Sequence, residues 1–202
     1  MNKKLMSVGA GFLSLGMLLS SCASSPKGMV ADCTFPDSPE MAAPGWICDM
    51  PVDGVEVSAV GSFRKTAAGI QFQKTQATAA ARNALASRMK VLVKRMVKNY
   101  ASTTGVGDDE TVDTVSSDVS KHVTNETLLG TKVFRTRVNP ETRTMYVLIG
   151  MDPDGAATNA QTAIKTSYKN KKAMWQRFLA KKADEDLDAE IEKMTRGFEG
   201  GE

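Results

Sequence analysis

Residues 70–101 constrain the fold most. After Gly69 the stretch holds no Gly or Pro and is dense in Ala, Gln, Arg, Lys and Met, all good helix formers. Composition and spacing predict one helix over 70–101, about 48 Å long at 1.5 Å per residue. Ala77, Ala81, Leu85, Met89, Leu92, Met96 and Tyr100 recur at steps of four and three, which places them on a single stripe. Arg88, Lys90, Lys94, Arg95 and Lys98 fall on the opposite side, and only Arg82 and Val91 break the pattern. A helix of that length with one apolar stripe needs a second layer to bury it.

The flanking segments can supply that layer. Val55, Val57 and Ala59 alternate with Glu56 and Ser58, and Val60 to Phe63 follow. This period of two predicts a strand over 55–63. Residues 128–138 and 144–151 read as the arms of a β-hairpin around the turn Asn139-Pro140-Glu141-Thr142-Arg143. The second arm is apolar on both faces, which suits a central strand. Gly105 and Gly107 end the long helix, and Asp108, Asp109 and Glu110 open a second one running to about Asn125 on a stripe of Val112, Val115, Val119 and Val123. A last long helix is expected over 159–196, with Ile164, Tyr168, Trp175, Phe178, Leu179, Leu187, Ile191 and Met194 on its apolar side. The order β-α-α-β-β-α predicts an α+β domain: a small antiparallel-type sheet covered by a long amphipathic helix, with a long C-terminal helix.

The start of the chain speaks to location. Asn2, Lys3 and Lys4 precede an uncharged, mostly apolar run from Leu5 to Leu19, closed by Leu19-Ser20-Ser21-Cys22. A charged head, a short apolar run and small residues before a cut describe a secretory signal, and the run is too short to span a bilayer. The ending Leu-Ser-Ser-Cys resembles the lipobox of bacterial lipoproteins. That resemblance implies cleavage before Cys22, a diacylglyceryl thioether on its sulfur and acylation of its new amine. Ala23, where an Asp would favour inner-membrane retention, implies the outer membrane. Export also places Cys33 and Cys48 in an oxidising compartment as the remaining pair. A bridge between them closes a loop worth roughly 3 kcal/mol in the chain-entropy model. The chain is thus expected to divide into a signal (1–21), a lipid-anchored tether with the disulfide loop (22–48), an α+β domain (49–155) and a helical extension (156–202).

Chemistry is sparse along the chain. With the signal removed, 24 basic and 23 acidic side chains remain, so net charge indicates no polyanionic partner, and export argues further against nucleic acid. No P-loop, GxGxxG, GxSxG or HExxH occurs. His122 is the single histidine, which excludes histidine clusters. Asp108-Asp109-Glu110 with Asp113 lacks EF-hand spacing and suits a helix start better than a cation. No cofactor, metal site or catalytic residue is expected. The charges are nonetheless segregated. Residues 57–107 hold nine Lys and Arg and no acid. Such a basic helix face suits lipid headgroups or another anionic surface, and a solvated face opposite a core stripe also accounts for it. Residues 163–182 hold seven basic and no acidic side chains, and 184–192 six acidic and no basic ones. A second copy laid antiparallel would match basic half to acidic half, with Trp175, Phe178 and Leu179 as the apolar contact. Alternatively, that apolar side docks on the chain's own sheet.

Three stretches together suggest a family. Pro44-Gly45-Trp46, Val57-Ser58-Ala59-Val60-Gly61-Ser62 and the alanine-rich Thr78-Ala79-Ala80-Ala81-Arg82-Asn83-Ala84-Leu85-Ala86 resemble the Lpp-twenty lipoprotein family. Thr124-Asn125-Glu126-Thr127-Leu128 and Tyr146-Val147-Leu148-Ile149-Gly150 are similar to its later motifs. The resemblance covers about residues 44–155. It implies a strand-helix-strand-strand core, an outer-membrane lipid anchor, no known enzymatic activity and, as in flagellar members, assembly into rings. Two functions follow. One is a structural, self-assembling outer-membrane lipoprotein on the periplasmic side, a homo-oligomer associated with a flagellum. The other is a monomeric module that binds a lipid or cell-wall fragment in a groove between sheet and long helix.

Overall fold

A computed structural model describes residues 33–123 and 128–180, all within one compact unit. The elements in chain order are β1 (Thr34–Phe35), β2 (Ser38–Ala42), a single 3-10 turn (Gly45–Cys48), β3 (Val57–Phe63), α1 (Ile70–Thr104), α2 (Asp109–Lys121), β4 (Lys132–Val138), β5 (Met145–Met151), α3 (Pro153–Asn170) and α4 (Lys172–Phe178). This is an α+β fold. β3, β5 and β4 form an antiparallel sheet in that spatial order. β5 is central and buried at every position, as its two apolar faces require. β4 is an edge, exposed along most of its length, and its pairing to β5 shifts register around Phe134.

α1 lies directly on β3. Gly61 pairs with Val147, and a Cβ there would sit 2.1 Å from the backbone nitrogen of Ala81 and 2.3 Å from the carbonyl oxygen of Ala77. Glycine facing two fully buried alanines lets helix and strand backbones touch. The stripe continues through Leu85, Met89, Val93, Met96 and Tyr100, all buried. Leu92, expected on that stripe, is only partly buried, while Val93 is fully enclosed. At 100° per residue the two flank the stripe's centre on opposite sides, and neighbouring elements decide between them. The helix ends at Gly105, left-handed at φ 64°, whose N–H bonds the carbonyl of Ala101. Asp108 then caps α2 by accepting from the N–H of Thr111 at 2.8 Å, and Asp152 caps α3 in the same way through Gly155.

Several boundaries differ from expectation. Residues 33–45 belong to the folded unit instead of a tether. Phe35, Cys33 and Ile47 form a small second core with Tyr146 of β5, and the Phe35 and Tyr146 rings lie 5.5 Å apart. Phe35 is the one aromatic in a polar, Pro-rich stretch, so no periodicity betrays it. At the other end, Ala160, Ala163 and Ile164 of α3 enter the main core, so the domain continues past 155 without a break. The expected C-terminal helix starts earlier, at Pro153, and is interrupted at Lys171 (φ −133°, ψ 45°). Across that break the Trp175 indole N–H reaches back to Ser167 Oγ at 3.1 Å. On an unbroken helix the eight residue steps from Ser167 to Trp175 would span about 12 Å. The expected part of this helix beyond residue 180, with Leu187, Ile191 and Met194, lies outside the described residues. The second helix closes at Lys121, short of Asn125, and the β4 arm begins at Lys132, not at Leu128.

Candidate functional site

Three groups of polar and charged residues stand out, the first two built by elements brought together from distant parts of the chain and the third lying along one helix. The first ties the N-terminal hairpin to the sheet. Cys33 and Cys48 are disulfide-bonded, with sulfurs 2.20 Å and Cα atoms 5.6 Å apart. The β1–β2 hairpin presents Asp37 to the β4–β5 turn. Its carboxylate accepts from Tyr146 Oη at 2.6 Å, from Asn139 Nδ2 at 2.8 Å and from Thr142 Oγ1. Burial raises the Asp37 carboxyl, but the hydrogen bonds from Thr142, Thr144, Tyr146 and Asn139 outweigh it and hold it well below the usual carboxylate range. Burial and the neighbouring Asp37 carboxylate push the Tyr146 phenol well above its ordinary value. Asn139, fully buried, closes its own turn by accepting from the N–H of Glu141 at 2.9 Å. Gln73 of α1 adds a clamp, donating to the carbonyls of Phe63 at 2.9 Å and Arg143 at 2.8 Å.

The second group joins α2, α3 and α4. Ser167 Oγ donates to Asp118 Oδ2 at 2.8 Å and accepts from the Trp175 indole. His122 Nε2 lies 3.8 Å from the same carboxylate oxygen, and Lys171 Nζ 3.7 Å from the other. A serine, a histidine and an aspartate thus meet, but not in the order nucleophilic catalysis requires. The imidazole addresses the carboxylate and not the hydroxyl, and Ser167 is fully enclosed. The arrangement satisfies a buried carboxylate and locks the helix break.

The third group is the solvent face of α1. Lys90, Lys94 and Arg95 are exposed there beside Val91, which is 58% exposed. Arg88 pairs with Asp49 at 2.6 Å and Lys98 with Asp113 at 2.6 Å. Asp113 is therefore committed to a salt bridge and Asp108 to its cap. Among the described residues no group of three or more His, Cys, Asp or Glu could hold a metal ion, and no helix is long and apolar enough to cross a membrane.

The residues expected to make the self-association contact are buried within the chain itself. Trp175 and Phe178 are fully enclosed and Leu179 is 7% exposed. The Phe178 ring lies tilted against Tyr100 of α1 at 5.8 Å, and the Trp175 ring meets Tyr168 at 6.1 Å. Within the chain these residues close the core against α1 and α3, not against the sheet. The groove expected between sheet and long helix is filled where Gly61 meets Ala77 and Ala81. Cys22 lies outside the described residues. The Asp37–Asn139–Tyr146 latch was not legible in the sequence; a tyrosine in an otherwise apolar strand is its one trace.

No curated protein matches this chain. The family model described as LPP20 lipoprotein matches residues 44–152, a span that opens at the 3-10 turn and closes at the end of β5 and so takes in β3, α1, α2 and the hairpin. That is more than half of the 202 residues, and the chain belongs to the LPP20 (Lpp-twenty) lipoprotein family.

Proposed function

We propose that this lipoprotein is held in the outer membrane by acyl chains on Cys22, with its folded domain on the periplasmic side, and serves a structural role without catalysis. The observation that carries this reading is family membership together with Leu19-Ser20-Ser21-Cys22 ahead of the domain. Ala23 supports the outer over the inner membrane. Several acyl chains, at about 0.8 kcal/mol per buried CH₂, make such an anchor effectively permanent. The LPP20 lipoproteins are not a known enzyme family, which agrees with an enclosed Ser167 and an imidazole facing a carboxylate.

Self-assembly, in a ring associated with a flagellum, is the second part of the proposal. The strands β3 and β4 are the two edges of the sheet. Pairing across them would join copies head to tail, the heterologous geometry that closes into rings. Two experiments test the two parts separately. Cys22→Ser is expected to move the protein from the membrane to the soluble periplasmic fraction, and salt-resistant membrane association of that variant would overturn the anchor. Light scattering of the Cys22→Ser mature chain after size exclusion is expected to show an oligomer. A monomer at high concentration would overturn assembly and favour the monomeric binding module.

A further inference from the structure

We propose that the solvent face of α1 docks on anionic phospholipid headgroups of the bilayer that holds Cys22, so that the domain lies against that membrane. The inference goes beyond the anchor and rests on it for the position of the bilayer.

Three observations converge. The face is basic without compensation from its own helix, because no Asp or Glu occurs in residues 70–104. Arg88 and Lys98 at its two ends are neutralised by Asp49 and Asp113. Between them Lys90, Lys94 and Arg95 point to solvent around the exposed Val91. A cluster of cations with an apolar side chain among them matches the headgroup region, where charge meets phosphate and a small apolar group enters the acyl boundary.

The tether also leaves the domain beside this face. Cys33 is bonded to Cys48. The next residue, Asp49, bridges Arg88 on the flank of the basic face, and the Arg88 guanidinium also donates to the carbonyl of Ser58 at 2.8 Å. Ten residues lie between Cys22 and Cys33, and those eleven residue steps reach at most about 40 Å. A bilayer anchored at Cys22 is therefore present at high effective concentration near the basic face. Each Lys or Arg at an anionic surface contributes about fivefold in affinity, and the attraction falls with salt.

The test uses the mature chain from residue 22 carrying Cys22→Ser, so that no acyl chain contributes. Sedimentation is measured with phosphatidylcholine vesicles, with and without about one part in three of phosphatidylglycerol. Binding is expected with phosphatidylglycerol only, and is expected to fall steeply as salt rises. Lys90→Glu/Lys94→Glu/Arg95→Glu should weaken it at least tenfold. Lys165→Glu/Lys169→Glu/Lys172→Glu, an equal charge change on α3 and α4, should change it less than threefold. Lys90→Gln/Lys94→Gln/Arg95→Gln, with residues of good helix propensity, replaces the first variant if circular dichroism shows that it unfolds. Absence of binding to the anionic vesicles, or equal losses in the α1 and control variants, overturns the proposal. So does a change of oligomeric state in the α1 variant without loss of vesicle binding, which would assign the face to a second copy. Because the assayed chain carries no acyl anchor, failure to bind vesicles is distinct from failure of the anchor, which the fractionation of Cys22→Ser reports.

Discussion

Gly61 and Asp37 show how single residues hold this fold. Gly61 is needed for want of space: the backbone nitrogen of Ala81 stands 2.1 Å from where a Cβ would be. The obstacle is backbone, so Gly61→Ala must push α1 off β3. We expect a loss at or above the upper end of the about 1–3 kcal/mol typical of overpacking, read as a lower denaturant midpoint. An effect under about 0.5 kcal/mol would mean that helix and strand are not in direct contact. Asp37 acts through charge. Its folded carboxyl lies below its unfolded value, so its contribution is present above the unfolded pKa of about 4 and is lost as pH falls through the depressed folded value. Tyr146 shifts the opposite way, so its contribution is full below about pH 10 and declines above it. Asp37→Asn should therefore flatten the acid limb of the pH–stability curve, and Tyr146→Phe the alkaline limb. Unchanged limbs in both variants would remove the latch.

Among elements, the β1–β2 hairpin depends most on its attachments. Its two strands are two and five residues long, too short to be stable alone. The Cys33–Cys48 bond, the Phe35–Tyr146 ring contact and the Asp37 hydrogen bonds hold it to the sheet. Cys33→Ala/Cys48→Ala should cost up to roughly 3 kcal/mol and raise hydrogen exchange in residues 33–48 more than in β5. Uniform exchange across both would show that the bond stabilises the domain as a whole and not the hairpin. The α3–α4 break is held differently, by Trp175, Ser167 and Asp118. Helix propensity carries no trace of it, since residues 159–180 are ordinary helix formers.

For the whole molecule, the large aromatic residues of the C-terminal segment serve the monomer. Trp175→Ala is expected to destabilise the folded unit by about 3–5 kcal/mol, as for a fully enclosed large side chain, in thermal or denaturant melts. Loss of assembly at unchanged stability would return Trp175 to an interface. Among the described residues, the surfaces left for partners include the sheet edges at β3 and β4 and the basic face of α1. β4 guards its edge with Lys132, Arg135, Arg137 and the register shift around Phe134, devices that discourage indiscriminate pairing.

Much of this architecture is legible along the chain because it is local. The uninterrupted run after Gly69, the turn chemistry of Asn139 to Arg143, the doubly apolar β5 and the acidic start of α2 depend on residues close in sequence, and each forms within a residue or a few of its expected place. Gly61 and Ala81, both in stretches that resemble the family, are also residues that let α1 touch β3. Long-range contacts decided the rest. Phe35 is core only because Tyr146 covers it, Asp37 is a latch only because Asn139 and Thr142 arrive opposite it, and Val93 displaces Leu92 only because of what packs on that side. Periodicity reports which side chains share a face. It does not report which groups meet that face, and burial, hydrogen-bond satisfaction and the helix break at Lys171 are all set by those groups.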